Sequence, residues 1–312
     1  MLDLKPLRMR DGDTYRRYTK ELRGSESSFA AVFSWMHKNK LHICEQDGIF
    51  FRLANSDNPF YLFPLTFGPM IDDNIDRALA LMESDAKARG IKLKIYAVSE
   101  EQKGFLDDKG FEFTESRNYS DYLYNAQDLL ELSGKKYHSK RNFISRFERE
   151  NSWQYEDITD DNINDVWEFQ DKWCRKNGCD TNVSLQEEAT CIAILLYNLD
   201  YLKAKGGLLR ANGKVVAFTV ASRVGYDTLE IHIEKADYDV TGSYPMINRE
   251  FLRHNLTPDI KYINREEDLG LENLRKAKLS YHPCMILTKY NAVHAPLAKG
   301  GKDTHRVPGE IS

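Results

Sequence analysis

Glu230, His232 and Glu234 recur at every second position of Thr228 to Glu234, a segment whose composition reads as a strand. Strand side chains two residues apart share a face, so the spacing predicts three polar groups lining one cleft. Buried there without partners they would cost several kcal/mol. The next loop, Val240-Thr241-Gly242-Ser243-Tyr244, leads into a helix. Gly242 lets a ligand approach the backbone closely, and the helix start offers unpaired amides to a phosphate. Further on, a short strand runs into Asn264, Arg265, Glu266, Glu267 and Asp268. Strand ends of open sheets collect ligands, so Asn264, Arg265 and Asp268 are candidate substrate contacts, as is His232. The carboxylates among them would suit a cationic amine. A charged segment, 129–150, carries Lys136, Lys140 and Arg141 on the outward face of a helix that buries Tyr137, Ile144 and Phe147. Such a face would meet a phosphate-rich donor.

Two similar sets of elements must position these groups. The first is read as helices at Asp11–Leu22 and Ser27–His37, then strands at Leu41–Glu45, Ile49–Ala54 and Phe60–Phe67. A helix ending at Gly90, a strand at Ile91–Val98, a helix at Glu100–Lys109, and strands at Phe111–Phe113 and Tyr119–Tyr124 complete it. The second set opens with a helix at Asp160–Lys176 and another that a Ser184/Glu187 capping box would start. Strands at Gly207–Ala211, Lys214–Arg223 and Thr228–Glu234 follow, then alternating helices and strands to Tyr290. Asp47-Gly48 and Asn212-Gly213 supply the same hairpin chemistry in both sets. The predicted organisation is an α+β chain with domains at 1–128 and 151–291, a basic connector at 129–150, and a disordered tail at 292–312.

Composition narrows the class. The 312 residues, 41% of them hydrophobic and 12% aromatic, exclude a disordered chain, and their number is enough for two cores. No apolar run nears the roughly 20 residues of a membrane span, and Met1 to Pro6 has no export-signal pattern. A cytoplasmic protein is expected. With 44 basic against 48 acidic side chains, a general nucleic-acid binder is disfavoured, though a local basic patch is not. Cys44, Cys174, Cys179, Cys191 and Cys284 lack the paired spacings of a zinc site, so they are expected to be reduced, and no metal is expected.

The repeated order of elements resembles the GNAT acyltransferase fold, and two copies in tandem resemble the Fem-type aminoacyl transferases. Two strings, Ser133-Gly134-Lys135-Lys136-Tyr137-His138-Ser139-Lys140-Arg141-Asn142-Phe143-Ile144 and the stretch from Ile263 to Pro283, are similar to the soluble C-terminal domain of phosphatidylglycerol lysyltransferases. The resemblance covers roughly residues 1–291. It implies two tandem GNAT-like domains, each a mixed, mostly antiparallel sheet flanked by helices, with the active site in the second. It implies that the third and fourth strands of that half splay apart, that Glu234 is a general base, and that Tyr281 protonates the leaving group. It also implies a donor held near Val240–Tyr244: aminoacyl-tRNA by family, or acyl-CoA by the generic fold, each a co-substrate rather than a tightly bound cofactor. The acceptor would be a small molecule, a lipid headgroup or a peptide. A large multi-helix membrane domain like that of the full lysyltransferases is not expected ahead of this module, which weakens the lipid reading. A non-catalytic ligand-binding module is the rival from another class.

Overall fold

Both hairpin dipeptides take positive φ at both positions, 54° and 73° at Asp47-Gly48 and 52° and 79° at Asn212-Gly213. Those angles match the right-handed twist of the strands they join, so Gln46 pairs with Ile49 and Ala211 with Lys214. Around these hairpins the computed structural model, which describes residues 1–295, builds two mixed sheets. None of the helices among these residues is long and apolar enough to cross a membrane.

The first sheet runs, edge to edge, Lys5–Pro6, Leu41–Gln46, Ile49–Ala54, Phe60–Leu62, Lys94–Val98, Tyr290–His294 and Phe111–Glu115. The second runs Met285–Leu287, Asp121–Asn125, Tyr262–Asn264, Thr228–Ala236, Lys214–Val224, Ala204–Ala211 and Trp153–Asp157. The two sheets therefore exchange strands. Asp121–Asn125, expected to close the first half, sits between two strands of the second sheet. Tyr290–His294, at the far end of the chain, sits inside the first sheet between Lys94–Val98 and Phe111–Glu115. Pattern and period report what a segment is, not which distant strand it pairs with, so the exchange has no local signature. The expected tail also begins too early, because residues 292–294 are strand; the remainder, 296–312, lies outside the described residues.

Exchange goes with a shared core. One cluster of buried side chains joins Phe50, Tyr61 and Ala292 of the first sheet, and Tyr15 of the helix Gly12–Thr19, to Val166, Leu208, Phe218 and Ile233 of the second half. Arg23 spans the same seam, its Nε and Nη2 each 2.9 Å from a carboxylate oxygen of Asp227. Lys289 Nζ donates to Asp121 at 2.8 Å, and the Asp121 carboxylate accepts from Ser25 N at 2.7 Å.

Several local expectations need correction. Asn182, not Ser184, caps the helix Val183–Tyr197, accepting from Leu185 N at 3.3 Å. Trp153–Asp157 is an edge strand that its weak alternation hid. Cys174 and Cys179 are disulfide-bonded rather than reduced. The helix Ile163–Asn177 ends at Gly178 with φ 71°, and the reversed chain brings Cys179 back to within 5.0 Å (Cα–Cα) of Cys174, one turn earlier.

Candidate functional site

Thr228–Ala236 and Tyr262–Asn264 run parallel for only three residue pairs, ending at Glu230 opposite Asn264. Beyond that pair the strands part; with Trp153–Asp157 counted first they are the fourth and fifth strands of this half, whereas the splay was expected between the third and fourth, which pair along their length. Arg265, the first residue past the fork, reaches back across the gap, its Nη2 donating to Glu234 Oε1 at 2.7 Å. Asn248, on the helix Ser243–Asn255, donates to Glu234 Oε2 at 3.0 Å. Both carboxylate oxygens are thus held, which defines Glu234 as the group that orients Arg265.

The guanidinium lies 4.8 Å from the Tyr281 ring centroid and 5.9 Å from that of Tyr124. Burial works against its charge, but Glu234 and the two phenols outweigh burial, and its pKa ends above the ordinary guanidinium value. Its Nη1 is buried without a hydrogen-bond partner among the described residues. A donor held charged, fixed and unused is what a developing oxyanion requires. Lys140 completes the group from the connector helix His138–Glu150, with Nζ 3.9 Å from the Tyr281 ring centroid and 2.7 Å from Ser280 Oγ. Burial, then the charge of Arg265, lowers its pKa to about 8. Burial pushes the Tyr281 phenol well above its usual value, so it keeps its proton until a strong base forms nearby.

Not every candidate converges here. A bulge displaces His232, since Val220 pairs with Ile233 while Ala221 pairs with Ile231. Alternation changes phase at the bulge: Ile231 packs with Met246 and Phe251 on one face, Ile233 with Val166 and Phe169 on the other. The expected three-residue face is therefore split. Glu234 faces the helix Ser243–Asn255, whereas Glu230 and His232 face the seam between the halves. Asn264 and Asp268 are structural. Asn264 donates to Arg23 O at 2.8 Å, and Asp268 takes two 2.8 Å bonds from Arg275 while also accepting from Tyr122. Lys136 is paired with Asp128 at 2.9 Å, and Arg141 donates to the Leu132 and Gly134 carbonyls.

Gly242 has φ 89°, and a Cβ there would lie 2.3 Å from the Phe143 carbonyl oxygen. The close approach its glycine permits is to the connector helix. Gly242→Ala is expected to destabilise the fold by about 2–4 kcal/mol, from strain plus displaced backbone, read as a lower urea midpoint. The loop before it carries Asp237 and Asp239, both bonded by Lys176, so its charge does not favour a phosphate. Asn248 belongs to no motif of the sequence. Its signal is a polar side chain set beside Met246, Ile247, Phe251 and Leu252 on the buried side of the helix.

Paired mixed sheets, a fork between parallel strands and side chains converging at the fork place the chain in the tandem GNAT-like class. It superposes on a tandem GNAT protein from the clavulanic acid biosynthesis pathway with a TM-score of 0.53 and 12% identity, covering 95% of this chain and 99% of that one. Residues 17–293 match the model of the family described as phosphatidylglycerol lysyltransferase, C-terminal, and the chain belongs to that family. A conserved protein of unknown function from Bacteroides thetaiotaomicron is 34% identical, with a TM-score of 0.89 over 95% of this chain and 100% of that one. An uncharacterized protein of Mycoplasmoides gallisepticum is 26% identical over 175 residues, 55% of this chain; the chain spans about half the length of that relative, 55%. Membership of that family supports transferase chemistry at the level of the family.

Proposed function

We propose that the fork in the second sheet transfers an aminoacyl group from the ribose ester of a charged tRNA to an amine or hydroxyl acceptor. The observation that carries this reading is the unpartnered Arg265 Nη1 beside Tyr281 and Lys140. The acceptor's nucleophilic atom attacks the ester carbonyl, forming the new C–N or C–O bond. Its proton passes to the neutral form of Lys140. Arg265 Nη1 donates to the oxyanion of the tetrahedral intermediate. The ester C–O bond then breaks, the Tyr281 hydroxyl protonates the departing ribose oxygen, and the Lys140 ammonium returns a proton to the phenolate. The net proton movement is from acceptor to leaving alcohol. An acyl-CoA donor is less well supported, because the loop before Gly242 presents carboxylates and Gly242 is packed against Phe143.

A transfer assay with labelled aminoacyl-tRNAs, and acetyl-CoA as the alternative donor, tests the reading. Because the base form of Lys140 accumulates above its pKa of about 8, kcat should rise about tenfold per pH unit below that value and level off above it. Lys140→Arg should abolish this limb and lower kcat at the plateau about 100-fold. Turnover with acetyl-CoA and none with any aminoacyl-tRNA would refute the donor assignment.

A further inference from the structure

The seam-facing side of the fork carries a second cluster, separated from Arg265 and Glu234 by the phase change at His232. Glu230 is 0% exposed, and neither of its carboxylate oxygens has a hydrogen-bond partner among the described residues. One ligand atom each from Glu230, His232 and Glu266 lies within 4.8 Å of the others. His232 Nδ1 is 3.1 Å from Glu266 Oε1, and its Nε2 is 2.8 Å from Ser222 Oγ. A buried carboxylate facing a second carboxylate is costly unless one of them takes up a proton or a cation lies between them.

We propose that Glu230, His232 and Glu266 bind one divalent transition-metal cation of the zinc type. An N,O,O donor set is the chemistry such ions take, with bond lengths of about 2.0–2.2 Å. Tetrahedral bonds of that length place ligand atoms roughly 3.3–3.6 Å apart, so the His232–Glu266 pair at 3.1 Å is nearly set, and Glu230, within 4.8 Å of both, would be drawn in on binding. Ser222 is the outer partner that such a histidine requires. By accepting a hydrogen bond from Nε2–H it leaves the Nδ1 lone pair aimed at the cluster. Burial selects a bare ion over a larger cationic group. The His232 side chain is 2% exposed and that of Glu266 21%, so Glu266 is the most open of the three.

The location gives the ion its purpose. Glu230 is the last residue paired before the strands part, and Glu266 follows Arg265 on the other arm of the fork. A cation bridging them would fix the opening angle, and with it the reach of Arg265 toward Glu234. This site does not depend on the transfer reaction, and its test reads binding directly.

After EDTA treatment and dialysis, the full chain should take up one Zn²⁺ per molecule in titration calorimetry. Co²⁺ should give the intense visible absorption of a low-coordinate site. Glu266→Gln, on the most accessible ligand and so the least disruptive to folding, should weaken Zn²⁺ at least tenfold, and Glu230→Gln should do the same. Zn²⁺ at a hundredfold excess over its Kd should raise Tm by about 5 °C in the wild type and not in either variant. Absence of saturable Zn²⁺ binding by the wild type would overturn the proposal, as would variants that bind Zn²⁺ like the wild type. Lysinamide binding that is lost in the same variants, without Zn²⁺ binding, would likewise overturn it and identify an amine pocket.

Discussion

Arg265→Ala should lower kcat/KM for aminoacyl transfer by about 10³-fold, the scale of losing a fixed oxyanion donor in a site screened from water. The substitution removes the unpartnered Nη1 and the ion pair to Glu234 together. It also leaves a mostly buried carboxylate with Asn248 alone, and that unpaired charge will destabilise the fold. Stability and chemistry are separated by adding Glu234→Gln, which neutralises the stranded carboxylate. The double variant should recover most of the lost Tm and none of the lost rate. Arg265→Lys keeps a charge but gives up the planar fork, so it should stay at least 100-fold impaired while folding normally. The rate is to be measured under single-turnover conditions, so that donor binding and product release do not mask the step. If Arg265→Ala folds and transfers within threefold of the wild type, the oxyanion assignment fails.

What the sequence discloses about this site follows from how far each signal reaches. The hairpin dipeptides, the helix ended by Gly90 and the strand Thr228–Ala236 are local, and each is found close to where its residues indicate. Arg265 was legible as a charged residue just past a strand end within the string from Ile263 to Pro283, Tyr281 through the resemblance of its helix to the GNAT fold, and Lys140 as part of a basic helix face. Asn264 and Asp268 lie in the same string, yet they brace the seam and the loop, since a short motif does not say which members point into the cleft. The bulge at His232 was hidden because alternation holds only while pairing is regular, and one extra residue sends Glu230 and Glu234 to opposite faces. The Cys174–Cys179 bond was missed for a related reason: the chain reversal at Gly178, rather than the spacing, brings the sulfurs together. Strand exchange is the least local feature. Asp121–Asn125 and Tyr290–His294 have ordinary strand patterns, and each is exchanged into the sheet of the other half.

That exchange makes the two halves one thermodynamic unit, and Ala292→Asp should demonstrate it. Ala292 is wholly buried in the first sheet, opposite Ile95 on one side and Phe113 on the other. A carboxylate placed there has no partner and little room, so the expected loss is about 3–5 kcal/mol or more. Independent domains would confine that loss to the first sheet. Here the strand carrying Ala292 follows directly from Met285–Leu287, which pairs with Asp121–Asn125 in the second sheet, and the cores are continuous across the seam. Of the four tryptophans, only Trp35 lies in the first half, so Trp35→Phe leaves Trp153, Trp167 and Trp173 as reporters of the second. In that background, Ala292→Asp should shift the tryptophan fluorescence transition and the far-UV circular dichroism transition to the same lower denaturant midpoint. Coincidence of the two probes is the mark of a single cooperative unit. A fluorescence midpoint that stays at its unsubstituted value while the dichroism transition splits in two would mean that the halves unfold separately, despite the strands they trade.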